Sequence, residues 1–92
     1  MKKPRNIIGG QLQKVRLEKG ISQMELAAMN QRKGWNISRY TIAKIESRSR
    51  CVADFELILL AESLKISVSA LFPSQRIWLA ARNHFVRDAP GV

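Results

Sequence analysis

The sequence predicts an all-α fold, a compact bundle of five or six short helices. Apolar residues recur at three- and four-residue spacings through most of the chain, and nothing between residues 7 and 73 alternates as a strand would. Ser22 and Ser38 each stand at a helix N-cap, with an apolar residue before them and another four residues into the helix. Finally, 92 residues with 46% apolar content suit one core and are too few for two.

Residues 1–6 are polar and basic and contain Pro4, so they read as a flexible arm preceding a domain over 7–73. Ile8, Leu12 and Val15 mark a first helix over about 7 to 19, closed by Gly20 in the left-handed conformation with Ile21 after it. Ser22-Gln23-Met24-Glu25 matches a capping box, and Ile21 with Leu26 forms a hydrophobic staple, so a second helix starts there. Residues 30–36 break the pattern and read as a connector, with Trp35 covering the top of the core. Ile37, Ser38 and Ile42 repeat the staple and cap for a third helix that runs to about Ser47, with Arg39, Tyr40, Ala43 and Lys44 on its other face. After a basic loop, Leu57, Leu60, Ala61 and Leu64 give a fourth helix over about 54 to 65. Ser67 is placed to cap a short fifth helix stopped by Pro73, and Trp78, Ala81 and Phe85 suggest a sixth over 75 to 87 within the C-terminal segment 74–92. Cys51 reads as a small buried residue.

The charge is segregated. Residues 1–50 hold twelve Lys and Arg against three acids, and residues 51–92 hold four against four, so the whole net +9 lies in the first half. A surface this basic attracts DNA, RNA or anionic lipid. A single cysteine excludes an intramolecular disulfide and a cysteine-cluster zinc site. The lone His84 and lone Cys51 have no acid or base near them in sequence, and there is no glycine-rich phosphate loop, so the chain reads as no enzyme and needs no cofactor or metal. No run approaches the length of a membrane span, and the basic residues are spread over several short segments, unlike a membrane-surface helix. A cytoplasmic protein is expected.

The second and third helices, flanked by one before and two after, form a helix-turn-helix arrangement. The run from Ile8 through Leu12 and Val15 to Gly20-Ile21-Ser22-Gln23-Met24-Glu25-Leu26-Ala27, the segment Thr41-Ile42-Ala43-Lys44-Ile45-Glu46, and Leu57, Ala61 and Leu64 resemble the lambda-repressor-like Xre/Cro family. The resemblance spans residues 7–72, with one departure: the family's tight turn between helices 2 and 3 is expanded here over residues 30–36.

The resemblance implies a sequence-specific regulator of transcription, bacterial or phage-encoded and acting as a repressor, that inserts helix 3 into the major groove of double-stranded DNA. It implies that Arg39, Tyr40 and Lys44 reach base edges; a guanidinium such as that of Arg39 suits the O6 and N7 of guanine. It places Gln23 on a phosphate and pairs Arg16 with Glu46 as a structural ion pair. Ser38 and Thr41 can bond phosphates or merely cap and pack. Arg48 and Arg50 suit phosphate contacts after helix 3, and Lys2, Lys3 and Arg5 suit the backbone or the minor groove. A homodimer is expected, with Leu71, Phe72, Ile77, Trp78 and Phe85 as its surface unless Leu71 and Phe72 close the core. Two rivals differ in kind: a DNA-binding antitoxin whose residues 76–87 hold a protein partner, and a protein-interaction module whose basic face is incidental.

Overall fold

Caps set the helix boundaries. The computed structural model describes residues 3–86, and over that range the chain forms α1 (Gly9–Glu18), α2 (Gln23–Gln31), α3 (Arg39–Glu46), α4 (Asp54–Leu64), a 3-10 turn at Val68–Leu71 and α5 (Gln75–Val86). No described residue lies in a strand. Lys2, expected in the arm, and the tail beyond residue 86 lie outside the described residues.

Before α2, Ser22 Oγ accepts from the Glu25 amide (3.0 Å) while Glu25 accepts from the Ser22 amide (2.9 Å), the reciprocal pair of a capping box. Those bonds to Ser22 hold the Glu25 carboxyl below its usual range. Ser38 Oγ accepts from the Thr41 amide (3.3 Å) to start α3. Ala53 has no side-chain acceptor, so α4 makes only the glutamate half of a box, with the Ala53 amide donating to Glu56 (2.9 Å). Asn6, inside the expected arm, is instead buried: its Oδ1 accepts from the amides of Ile8 and Gly9 (3.1 and 2.8 Å) and caps the chain into α1. Ser67 forms no cap, bonding Ser69 Oγ instead, and the fifth helix is accordingly only a single 3-10 turn.

The first four helices end by one device, the Schellman motif. In each, a left-handed residue donates its amide three residues back and the next residue donates five back. Gly20 (φ 67°) and Ile21 close α1 on Leu17 and Arg16; Arg48 (φ 65°) and Ser49 close α3 on Ile45 and Lys44; Lys65 (φ 56°) and Ile66 close α4 on Glu62 and Ala61. The expected connector after α2 is the fourth case. The helix continues through Asn30, and Gly34 (φ 94°) and Trp35 donate to Gln31 and Asn30 (both 3.0 Å). Asn30 and Gln31 of the expanded run therefore belong to α2, and residues 32–36 form the connector, with Gly34 as its stop. Ile21, Trp35 and Ile66, the residues after three of the four left-handed positions, pack on the core.

That core is built from Ile8, Leu12, Leu26, Ile42, Ile45, Leu60, Leu64 and Leu71, each essentially without solvent contact. Each such side chain contributes about 1.5 to 3 kcal/mol. Leu71, counted among the self-association residues, closes this core and so is no surface residue. Asn30 is fully buried beside it with both side-chain polar atoms bonded, Nδ2 donating to the Leu26 carbonyl (2.9 Å) and Oδ1 accepting from Ser63 Oγ (3.0 Å), which ties α2 to α4. Cys51, expected to be buried, is exposed, because Val52 takes the core-facing place before α4. On α5, the Trp78 and Phe85 rings meet at 5.6 Å, and Trp78 borders an apolar hollow with Ile7, Phe72 and Pro73. Ile77 and Leu79 stay exposed. No helix among the described residues is long and apolar enough to cross a membrane.

Candidate nucleic-acid interface

The relation between α2 and α3 is set by a polar network centred on one carboxylate. Glu46, in the last turn of α3, is buried and receives Arg16 of α1 as a fork, Nε to Oε2 at 2.6 Å and Nη2 to Oε1 at 2.9 Å. The third guanidinium nitrogen donates to the Ile21 carbonyl (2.8 Å) at the end of α1. This hydrogen-bonded partner raises the Arg16 pKa further above its ordinary value. Gln23, the first residue of α2, donates from Nε2 to Glu46 Oε1 at 3.0 Å. Three helices thus meet at Glu46, and the Gln23 amide is held at the start of α2 with one hydrogen and its oxygen still unused.

The opposite face of α3 points to solvent. Arg39 and Tyr40 are exposed in its first turn; Lys44 lies one turn on, with its ammonium 4.7 Å from the centre of the Tyr40 ring. The Arg39 guanidinium has no partner among the described residues. Ser38 and Thr41 bond each other through their hydroxyls (3.3 Å) while capping α3. The face therefore offers one free guanidinium, an aromatic ring and an ammonium, all anchored on a helix whose back is locked to the core.

The remaining basic residues divide. Arg48 and Arg5 are exposed, and their backbones are joined by the Arg5 amide donating to the Arg48 carbonyl (2.8 Å); Lys3 is exposed nearby in sequence. Arg50, expected as a second phosphate contact, is committed elsewhere. It grips Glu56 through both terminal nitrogens (3.0 and 3.1 Å) and is only partly exposed, so it serves as an internal counter-ion. Burial pushes the Glu56 carboxyl up, but Arg50 and the Ala53 amide together outweigh that and leave it below its ordinary value. Asn6, Asn30 and Glu56 are the supporting residues that the sequence reading missed. Two had a signal: Asn6 stands directly before the apolar pair Ile7-Ile8, and Glu56 stands three residues into α4.

No family model matches the sequence, and neither does any curated protein; solved structures do. The restriction-modification controller protein C.AhdI from Aeromonas hydrophila superposes with a TM-score of 0.63 at 29% identity, covering 71% of this chain and 87% of that one. A mutant of the restriction-modification controller protein C.Esp1396I gives 0.60 at 30% identity, covering 73% and 83%. The chain belongs to the lambda-repressor-like Xre/Cro family. A hypothetical transcription factor, NHTF from Neisseria, shares the fold of this Xre/Cro chain at 20% identity with a TM-score of 0.66, covering 87% and 92%. The two controller proteins thus overlap most of this Xre/Cro domain.

Proposed function

We propose that this domain is a sequence-specific regulator of transcription that binds double-stranded DNA and represses, acting in the cytoplasm of a bacterial or phage-carrying cell and catalysing nothing. The observation that carries the reading is α3 itself, with its inner face fixed through Glu46 to α1 and α2 and its outer face presenting Arg39, Tyr40 and Lys44. A helix so held enters a major groove as a rigid reader, Arg39 against guanine and Tyr40 and Lys44 further along. Gln23 meets a phosphate at the start of α2, while Ser38, Thr41, Lys3, Arg5 and Arg48 lie along the backbone. The controller proteins and the transcription factor that share this fold support the regulatory role, and nothing in them favours an antitoxin or an interaction module. One module covers few base pairs, so the domain works as a homodimer on half-sites about 34 Å apart. Phe72, Ile77, Trp78 and Phe85 supply the contact surface.

Selection of bound duplexes from a random-sequence pool tests this. Recovery of one two-fold symmetric motif, bound in moderate salt, is the expected result. Enrichment of no motif, with all binding lost as salt rises, would overturn it.

A further inference from the structure

Resting on the DNA-binding reading, we propose that Arg5 and Arg48 form one clamp that grips a single backbone phosphate in each half-site, built separately from the reading face of α3. Several observations converge on these two residues. Their backbones are joined by the 2.8 Å bond from the Arg5 amide to the Arg48 carbonyl, so the two guanidiniums start from neighbouring points. Both side chains are exposed, and neither guanidinium bonds any described residue.

The scaffold under them is over-determined. Asn6 Nδ2 donates to the carbonyls of Ile45 (3.0 Å) and Arg50 (2.8 Å), locking the segment that follows Arg5 onto the loop that contains Arg48. Gly9 lets α1 press on the end of α3: a Cβ there would overlap the Ile45 carbonyl and come within 2.9 Å of Arg48 Cγ. The stem of Arg48 is thereby seated against α1 while its charge stays in water.

At φ 65° Arg48 occupies the left-handed position where α1 and α2 carry glycine. Lys65 shows that a long side chain is tolerated at such a stop; what distinguishes Arg48 is the second arginine beside it. Two unpaired like charges on backbones joined to each other stabilise nothing within the fold, and a phosphate with two non-bridging oxygens can satisfy both. Arg50 is the internal contrast, since Glu56 neutralises it.

The test uses the full chain and a duplex bearing the selected motif, with each phosphate in turn replaced by an uncharged methylphosphonate. Arg5→Ala and Arg48→Ala should each weaken binding about tenfold. One and the same methylphosphonate position in each half-site should erase the difference between both variants and the native chain. Arg48→Gly should match Arg48→Ala in affinity but melt higher than the native protein, because glycine meets no steric penalty at this φ. Loss of affinity coupled to two different phosphates, or full affinity in Arg48→Gly, overturns the clamp while leaving the DNA-binding reading intact. A native chain that binds no duplex overturns both.

Discussion

Removing the Glu46 carboxylate leaves the Arg16 guanidinium buried without its counter-charge and frees the Gln23 amide. Glu46→Ala should therefore lower unfolding stability by about 3 kcal/mol in a urea titration. The motif recovered by duplex selection should stay the same, since Glu46 faces away from the solvent side of α3. Arg39→Ala reverses that pattern. It should leave stability within about 0.5 kcal/mol, cost about 1 to 3 kcal/mol of DNA affinity and relax preference at one base position. Glu56 gives a pH dependence with a definite sign. Its carboxyl is depressed in the folded state, so its stabilising effect is full above the ordinary carboxylate range and is lost as pH falls through the depressed value. Melting temperature should fall on acidification from about pH 4.5, and Glu56→Gln should be less stable at neutral pH with a shallower acid decline.

At the scale of elements, the adjacent glycines of α1 behave oppositely although both lie at its start. Gly9→Ala drives a methyl into the Ile45 carbonyl and should destabilise the domain by more than about 1 kcal/mol, whereas a methyl on Gly10 meets nothing and should stabilise it by about 0.5 to 1 kcal/mol. Paired thermal melts decide both signs. Helix existence was legible because it depends on local chemistry: the box at Ser22, the cap at Ser38 and the stripe of α4 are all written within a few residues. The Arg16–Glu46 pair and the exposed Arg39, Tyr40 and Lys44 were legible through family resemblance. Only the start of the run 30–36 departs from the connector its polar composition suggests: Asn30 and Gln31 still belong to α2, and Asn30 is polar in order to bond α4 from inside the core. The engagement of Arg50 was equally invisible, since whether a cation is free depends on which acid the fold brings to it. Gly34-Trp35 did repeat the pattern of Gly20-Ile21, and that repeat locates the true end of α2.

For the whole molecule, the proposed function assigns DNA contact to the basic first half and self-association to the neutral second half. The core closes at Leu71, and α5 leaves Ile77 and Leu79 in solvent. Ile77→Glu should leave the melting temperature of the domain nearly unchanged while shifting sedimentation equilibrium from dimer toward monomer and weakening binding to the two-fold motif far more than to a half-site. A dimer that persists in this variant would place self-association elsewhere. The bonds of Asn6 carry a further consequence, for the order in which the domain matures. They tie the sixth residue to partners at positions 45 and 50, and the Arg16–Glu46 pair bridges a separation of 30 residues across α2. A nascent chain ending before residue 45 lacks the groups that fix both ends of α1 against α3. Fragments of that length should be degraded rapidly in a pulse with protease, and folding on the ribosome should occur in one late step, with no stable helical hairpin preceding it.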